Sequence, residues 1–324
     1  MAAAQQVFTN YRLEKTDNTL RRQLADLNSF AEYLTGLGHC NAGDLQLTGE
    51  TLATKSTAWS GMTWGLIEGF KRWMLLQGYA VGSVNVRLST VKTYAKLAEQ
   101  SGVINSSEGR LICQVHGHGR KASRSIDGNR AVTRLGHKKA EAVVLTNEAT
   151  SILKAQPDTP QGRRDALLMC LMLDHGLRVG EVVILMVGDI DLTGELRFYR
   201  PKVDKRQTHR LTPDTRRAAE RYMLVDRAGA NPEESLWRAS LKDASLHNAG
   251  LTEQAVTERV RRLGQRIGVQ KLSAHDLRHT WATRAARAGT DPFKLQEAGG
   301  WASLAMPRHY VESAKIANAG VRLE

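Results

Sequence analysis

The sequence predicts a mainly α protein in two parts, an all-helical domain over residues 10–105 and an α+β domain over 144–324, joined by a basic linker at 106–143. Three observations carry that prediction. Apolar residues recur at threes and fours along most of the chain, the pattern of amphipathic helices. One region, ELRFYR and THRLT, reads instead as two short strands around a hairpin PKVDKRQ. Between Gly117 and Ala140 the helical pattern lapses into GHGRKASRSIDGNRAVTRLGHKKA.

The first helix runs from Thr16 to Leu37, where Leu20, Leu24, Leu27, Ala31 and Leu34 share a face and Thr16 or Asn18 serves as N-cap. A second carries Trp64, Ile67, Phe70, Trp73 and Met74 and ends near Gly78. A third follows AVGS with Val86, Leu88, Val91, Tyr94, Leu97 and Ala98, and stops at Gly102. Aromatic residues at this spacing are assigned to core packing, not to a base-stacking platform. In the second domain TNEATSILKAQ and GRRDALLMCLMLDHG read as helices, the latter buried, and RVGEVVILMVGDIDL as one helix ending in a Gly-Asp turn. After the strands come PDTRRAAERYMLV, TEQAVTERVRRLGQRIG and SAHDLRHTWATRAARAG. The last has Ser273 as N-cap, Asp276 three residues on, and Gly289 as C-cap.

Composition narrows the function. At 324 residues there is room for two cores, and the longest apolar run, 166–173, falls far short of the roughly 18 residues a membrane span needs. The start, MAAAQQVFTNYRLEK, lacks the charged and apolar regions of a secretion signal. Cys40, Cys113 and Cys170 are scattered, with no disulfide framework and no C-x-x-C pair, which suits a reducing cytosol. Lys and Arg outnumber Asp and Glu by 46 to 33, for a net charge of +13. Such a surplus points to a polyanion, nucleic acid before membrane. In the linker Arg120, Lys121, Arg124, Arg130, Arg134, Lys138 and Lys139 face a single acid, Asp127. They are candidate phosphate contacts, with a flexible solvated linker as the plainer alternative.

The stretch AHDLRHTWAT places His275 and His279 four apart, as in zinc hydrolases. Asp276 stands where those enzymes have Glu, Arg278 sets a fixed positive charge inside the motif, and His309 is the only later histidine. No metal is therefore expected. His275 and Arg278 at a helix N-terminus suit a phosphate better. Further residues stand out: Arg178 and Glu181 in HGLRVGE, Lys202 and its neighbour Lys205 in the hairpin, and Trp301 and Tyr310 in EAGGWASLAMPRHYVES. Singly, each reads as a surface charge, a hairpin charge or a core aromatic.

In this order, GLRVGE, a hairpin Lys, HDLRH, then Trp and Tyr, the chain resembles the tyrosine recombinase (phage integrase) family across both domains. GGWAS departs from the family's usual Leu-Gly-His, with Trp a known alternative at position 301, and the linker is longer than usual. The resemblance implies a helical core-binding domain and an α+β catalytic domain forming a clamp around double-stranded DNA. It implies a recombinase that cleaves and rejoins strands through a 3′-phosphotyrosyl intermediate, without a cofactor, for integration, excision or resolution. Arg178 and Arg278 would clamp the phosphate, His275 take a proton, Lys202 or Lys205 protonate the leaving oxygen, Trp301 donate an N–H, and Tyr310 attack. Glu181 would orient Arg178, and His279 would pack or support. A homotetramer on paired sites, DNA-bending accessory proteins and a cytoplasmic, nucleoid-associated location follow from the same resemblance. A topoisomerase of the tyrosine type and a noncatalytic DNA-binding protein are the competing readings.

Overall fold

A computed structural model of the chain describes residues 6–39, 46–130, 142–241 and 243–314. The chain divides into two compact units, residues 1–140 and 141–324. Among the described residues, none of the helices is long and apolar enough to cross a membrane.

The first unit is helical throughout its described residues: α1 (Val7–Leu13), α2 (Asp17–Gly36), α3 (Gly49–Thr54), a 3-10 turn at Ser56–Trp59, α4 (Trp64–Leu76), α5 (Val81–Gln100), α6 (Ser106–Gln114) and α7 (Arg120–Asn129). The capping threonines appear where the local pattern demands them, Thr16 accepting from the Thr19 N–H and Thr63 from the Leu66 N–H. Phe30, Tyr33, Trp59, Phe70 and Trp73 form one aromatic cluster, with Phe30 and Phe70 edge to face at 5.0 Å. These aromatics pack the core, as their spacing predicts. A buried polar clasp joins α2 to α5: Asp26 accepts from Arg22 at 2.8 Å and from the Thr90 hydroxyl at 2.7 Å.

The linker expected over 106–143 is corrected at its N-terminal end, because α6 and α7 lie within the first unit. Local bonds explain why. Asp127 accepts from the Val81 N–H at the start of α5, and Arg130 donates to the Gly78 carbonyl at 2.6 Å and pairs with Asp127. Arg130 is thus engaged in holding the turn before α5, while Arg120, Lys121 and Arg124 are exposed along α7. Arg134, Lys138 and Lys139 lie outside the described residues.

The second unit is built on α9 (Pro160–Asp174), whose residues 164–173 are all buried. A helix buried on every face must be wrapped, and here α8 (Asn147–Lys154), α11 (Pro213–Asp226) and α13 (Ala274–Arg287) pack around it. The segment RVGEVVILMVGDIDL, expected as one helix, breaks into α10 (Val179–Val183), a 3-10 turn at Val187–Asp189 and strand β1 (Ile190–Asp191). β-branched residues crowd this stretch, and Asp189 pulls the chain into the turn by accepting from the Met186 N–H at 2.8 Å. Strands β2 (Glu195–Arg200) and β3 (Lys205–Arg210) complete a three-stranded antiparallel sheet in the order β1-β2-β3. Arg200 pairs with Lys205, so the loop is Pro201–Asp204 and Lys205 belongs to the strand, where the hairpin reading had it in the turn. Asp204 takes the left-handed conformation that closes the loop, with φ of 47°. A two-stranded ribbon, β4 (Ala239–Ser240) with β5 (Leu246–His247), precedes α12 (Glu253–Arg266). Helices α14 (Pro292–Gly299) and α15 (Ala305–Ala314) follow α13, and a small cluster of Trp281, Ala286, Leu295 and Tyr310 packs them together.

One buried ion-pair network ties α9 to α12. Asp165, fully buried, accepts two bonds from its neighbour Arg164 at 2.7 and 3.1 Å and one from Arg259 at 2.6 Å. Arg164 is itself 2% exposed, so losing the carboxylate strands its charge. Asp165→Ala is therefore expected to destabilise the protein by about 3–5 kcal/mol in urea unfolding. Asp158→Ala, which removes an exposed partner of Arg163, is expected to leave the midpoint nearly unchanged.

Candidate functional site

The site is organised by the C-terminal turn of α14. A helix leaves its last carbonyls without intrahelical partners, and its C-terminus carries partial negative charge. Here Gly300, with φ of 57°, closes a Schellman turn: Gly300 N–H donates to Glu297 O at 3.0 Å and Trp301 N–H to Gln296 O at 3.1 Å. The carbonyls from Glu297 to Gly300 each also receive a side chain, and these come from four other elements. Gln207 of β3 donates to Glu297 O at 2.7 Å, and Arg200 of β2 to Ala298 O at 2.7 Å. Arg278 of α13 donates to Gly299 O, and Arg178 at the start of α10 to Gly300 O at 3.3 Å.

Three guanidiniums thus converge on one short turn, and one carboxylate answers them. Glu181, 2% exposed, accepts from the Arg178 side chain at 2.7 Å through Oε1. Its Oε2 accepts from the Arg178 backbone N–H at 2.9 Å and from Arg200 at 2.7 Å. The backbone bond is half of a capping box, which is why a Glu three residues after Arg178 starts α10 so firmly. Arg278 also donates to the Gly176 carbonyl, and its guanidinium lies 4.5 Å from the centre of the Trp301 ring. Burial, and next the charges of Arg178 and Arg200, push Arg278 down to about 9. A cation so destabilised beside two others is stabilised by an oxyanion.

Glycine is required at two of these positions for space. A Cβ on Gly300 would sit 2.4 Å from Arg200 Cδ, and one on Gly176 would sit 2.3 Å from the Trp281 ring. Both residues also have positive φ, at 57° and 62°.

Tyr310, on α15, lies against the same group. Its ring is 4.9 Å from that of His279 in an edge-to-face contact, and 5.8 Å from that of Trp301. Trp301 in turn stacks on Trp281 at 5.9 Å. Tyr310 is 2% exposed. Burial raises its pKa above the ordinary tyrosine value, with the nearby Arg278 charge acting in the opposite direction. His279 is driven below its usual range by burial and then by His275 and His309, which keeps the imidazole neutral at neutral pH. His275 is exposed on the first turn of α13.

The structure accordingly brings Arg178, Glu181, Arg278, Trp301, Tyr310 and His279 together. It places Lys202 exposed in the hairpin turn, and Lys205 exposed on β3 at 3.9 Å from Glu297. Asp276, the residue that a zinc-hydrolase reading would use as its base, is 1% exposed and occupied structurally. It accepts from the Ser273 hydroxyl at 2.7 Å and from the Val143 N–H at 2.9 Å, the capping box the sequence predicts. Among the described residues no cluster of three or more His, Cys, Asp and Glu has the geometry to hold a metal ion.

Arg200 and Gln207 were missed in the sequence, and so was the pair His175 and His209 beneath the sheet. Arg200 was findable. In β2, Leu196, Phe198 and Arg200 are the buried residues of a strict alternation, and an arginine on the core face of a strand demands a buried partner.

His175 is 3% exposed, bonds to the Thr215 hydroxyl at 3.1 Å, and lies 5.6 Å from the His209 ring. Burial, and next the Lys154 charge, lower His175 from 6.5 to about 4. The unfolded chain takes up a proton at pH 6.5 that the folded chain refuses until about pH 4. Stability is therefore full above pH 6.5 and falls as the pH drops through that window. The expected loss is about 3 kcal/mol from this residue. His175→Gln is expected to flatten that part of a stability-against-pH curve measured by denaturant unfolding.

The model of the phage integrase family matches residues 142–316, more than half of the chain. Tyrosine recombinase XerD of Neisseria meningitidis serogroup B is 31% identical over 183 residues, which cover 55% of this chain and 61% of that protein. XerD of Lacticaseibacillus casei is 30% identical over 178 residues, covering 53% and 60%. The chain thus spans about 60% of the length of these curated relatives. Among solved structures, a lambda integrase dimer bound to a COC′ core site has a TM-score of 0.61 at 14% identity, covering 96% of this chain and 94% of that one. At that identity the likeness concerns the fold alone. With the family model matched across the α9 core, the arginine cluster and Tyr310, the chain belongs to the phage integrase family.

Proposed function

We propose that the protein is a site-specific DNA recombinase that cleaves and rejoins strands through a tyrosine ester of the 3′ phosphate. The observation that carries this reading is one tyrosine packed on Trp301, whose ring in turn lies under Arg278 in a cluster of three arginines balanced by one carboxylate. Such a cluster has an excess of positive charge where a phosphodiester would sit.

In this reading the Tyr310 oxygen attacks phosphorus, the P–O bond to the 5′ oxygen breaks, and that oxygen leaves as a hydroxyl after receiving a proton. The ester keeps the bond's energy for the reverse attack by a 5′ hydroxyl of the partner strand. Arg178 and Arg278 hold the nonbridging oxygens with planar donors that are charged at neutral pH. Glu181 sets the angle of Arg178, and Trp301 stacks on Arg278 and walls the phosphorus from water. Lys202 protonates the leaving oxygen, with Lys205 as the alternative, since both are exposed on one hairpin. A tyrosine with a raised pKa needs its proton removed. His275 takes that role, and His279 supports the Tyr310 ring. Because Tyr310 is 2% exposed, α15 must shift on DNA for the nucleophile to reach phosphorus.

Double-stranded DNA is the partner in this reading. Similarity to XerD and to the DNA-bound lambda integrase, together with the net charge of +13, supports it. Both units would contact the duplex, Arg120, Lys121 and Arg124 of α7 and the linker residues beyond would contact phosphates, and four copies would act on paired sites, aided by DNA-bending proteins at the nucleoid.

Two measurements test this. Wild type and Tyr310→Phe are incubated with sheared DNA from the source genome, quenched with detergent, and the protein-linked DNA is sequenced. The wild type is expected to give a covalent adduct at a defined sequence and Tyr310→Phe none; equal DNA recovery from both would leave a DNA-binding protein without the chemistry. Binding affinity is expected to fall steeply between about 50 and 200 mM salt, by 10³-fold or more if about six phosphates are contacted. A flat salt response would sink the DNA-binding reading.

A further inference from the structure

We propose that Arg200 is a positioning residue of the phosphate site, sharing Glu181 with Arg178 so that Arg178 keeps donors for an oxyanion. The inference rests on the phosphate-binding reading above. A carboxylate facing a single arginine favours the two-bond fork, which occupies one whole edge of the guanidinium. That fork is not formed here. Oε2 of Glu181 is occupied by Arg200 and by a backbone N–H, leaving only Oε1 for the Arg178 side chain. Of the five N–H donors on the Arg178 guanidinium, one goes to Glu181 and one, at 3.3 Å, to Gly300 O.

Exposure follows the same order. Arg200 is 0% and Glu181 2% exposed, while Arg178 is 25% exposed. The inner pair neutralises itself, and the outer cation is left for an anion arriving from solvent. Arg200 is fixed from every side: it donates to Glu181, to Ala298 O and to Gln207, and lies 4.7 Å from the centre of the Phe198 ring. A lysine ammonium could not meet these three acceptors with a planar fork. Gly300 supplies the space, since a Cβ there would meet Arg200 Cδ at 2.4 Å. Arg200 thereby also joins the β2–β3 hairpin, which carries Lys202, to the turn that precedes Trp301.

The test compares Arg200→Leu, Arg200→Lys and each combined with Glu181→Gln. The first readout is the rate of adduct formation at saturating DNA, on the fragment recovered with wild type, alongside the DNA dissociation constant. Arg200→Leu is expected to lower the rate on the order of 100-fold, with DNA affinity unchanged, because a freed Glu181 captures Arg178. Arg200→Lys is expected to lose less. Adding Glu181→Gln to either is expected to recover about tenfold, since a neutral amide cannot hold Arg178 by charge. A merely structural role predicts the opposite, further loss in the double variant, and that result would overturn the proposal. So would a wild-type rate in Arg200→Leu.

The second readout keeps this separate from the recombinase reading: the rise in melting temperature caused by inorganic phosphate over chloride at equal ionic strength. Wild type is expected to show the rise, Arg200→Leu to lack it, and the double variant to regain it. If wild type forms no adduct but this pattern holds, the recombinase reading fails and the positioning role stands. An equal phosphate response in wild type and Arg200→Leu, or none in wild type, removes the positioning role.

Discussion

The end of helix α14 is the constraint on which the rest of the site depends. Four successive carbonyls, from Glu297 to Gly300, receive Gln207, Arg200, Arg278 and Arg178 in turn. These donors come from β3, β2, α13 and the start of α10, elements far apart in sequence. Without the left-handed Gly300, the turn would not close and these carbonyls would face other directions. The partial negative charge of a helix C-terminus also offsets some of the repulsion among the guanidiniums. An eight-residue helix thus gathers three arginines from distant parts of the chain at one point.

That arrangement explains the architecture around it. The buried α9 ends just before Gly176, whose carbonyl receives Arg278, so the core helix fixes one end of the clamp on that guanidinium. The Arg164–Asp165–Arg259 network then pins α12 to α9, and α13 follows α12 directly. Rigid elements hold the arginines, whereas the lysine candidates sit in and beside the Pro201–Asp204 turn, exposed and able to move. That division suits charges that must be in place before the reaction and a proton donor that must reach in during it.

Burial governs Tyr310. Packed against His279 and Trp301, Tyr310 is shielded from solvent and its pKa is raised by that burial. The same packing sets the His279 ring edge-on to Tyr310, within the packing or supporting role its sequence position suggested.

Much of this was legible beforehand. Ser273 and Asp276 announced the α13 N-terminus, the alternation in ELRFYR announced β2, and the order of Arg178, Lys202, His275, Arg278, Trp301 and Tyr310 carried the family resemblance. Local chemistry determines such features: caps, periodicity and chain order are properties of nearby residues. What the linear pattern misread was also local in appearance. The basic run after Gly117 looked unstructured, yet Asp127 and Arg130 find partners at Val81 and Gly78, and α7 forms on that support. The site itself was decided only in three dimensions. Whether Arg200 faces Glu181, and whether three guanidiniums share one helix end, depends on contacts across 19 to 122 residues of sequence. No window of sequence contains both partners of such a bond, so only the packed fold determines it.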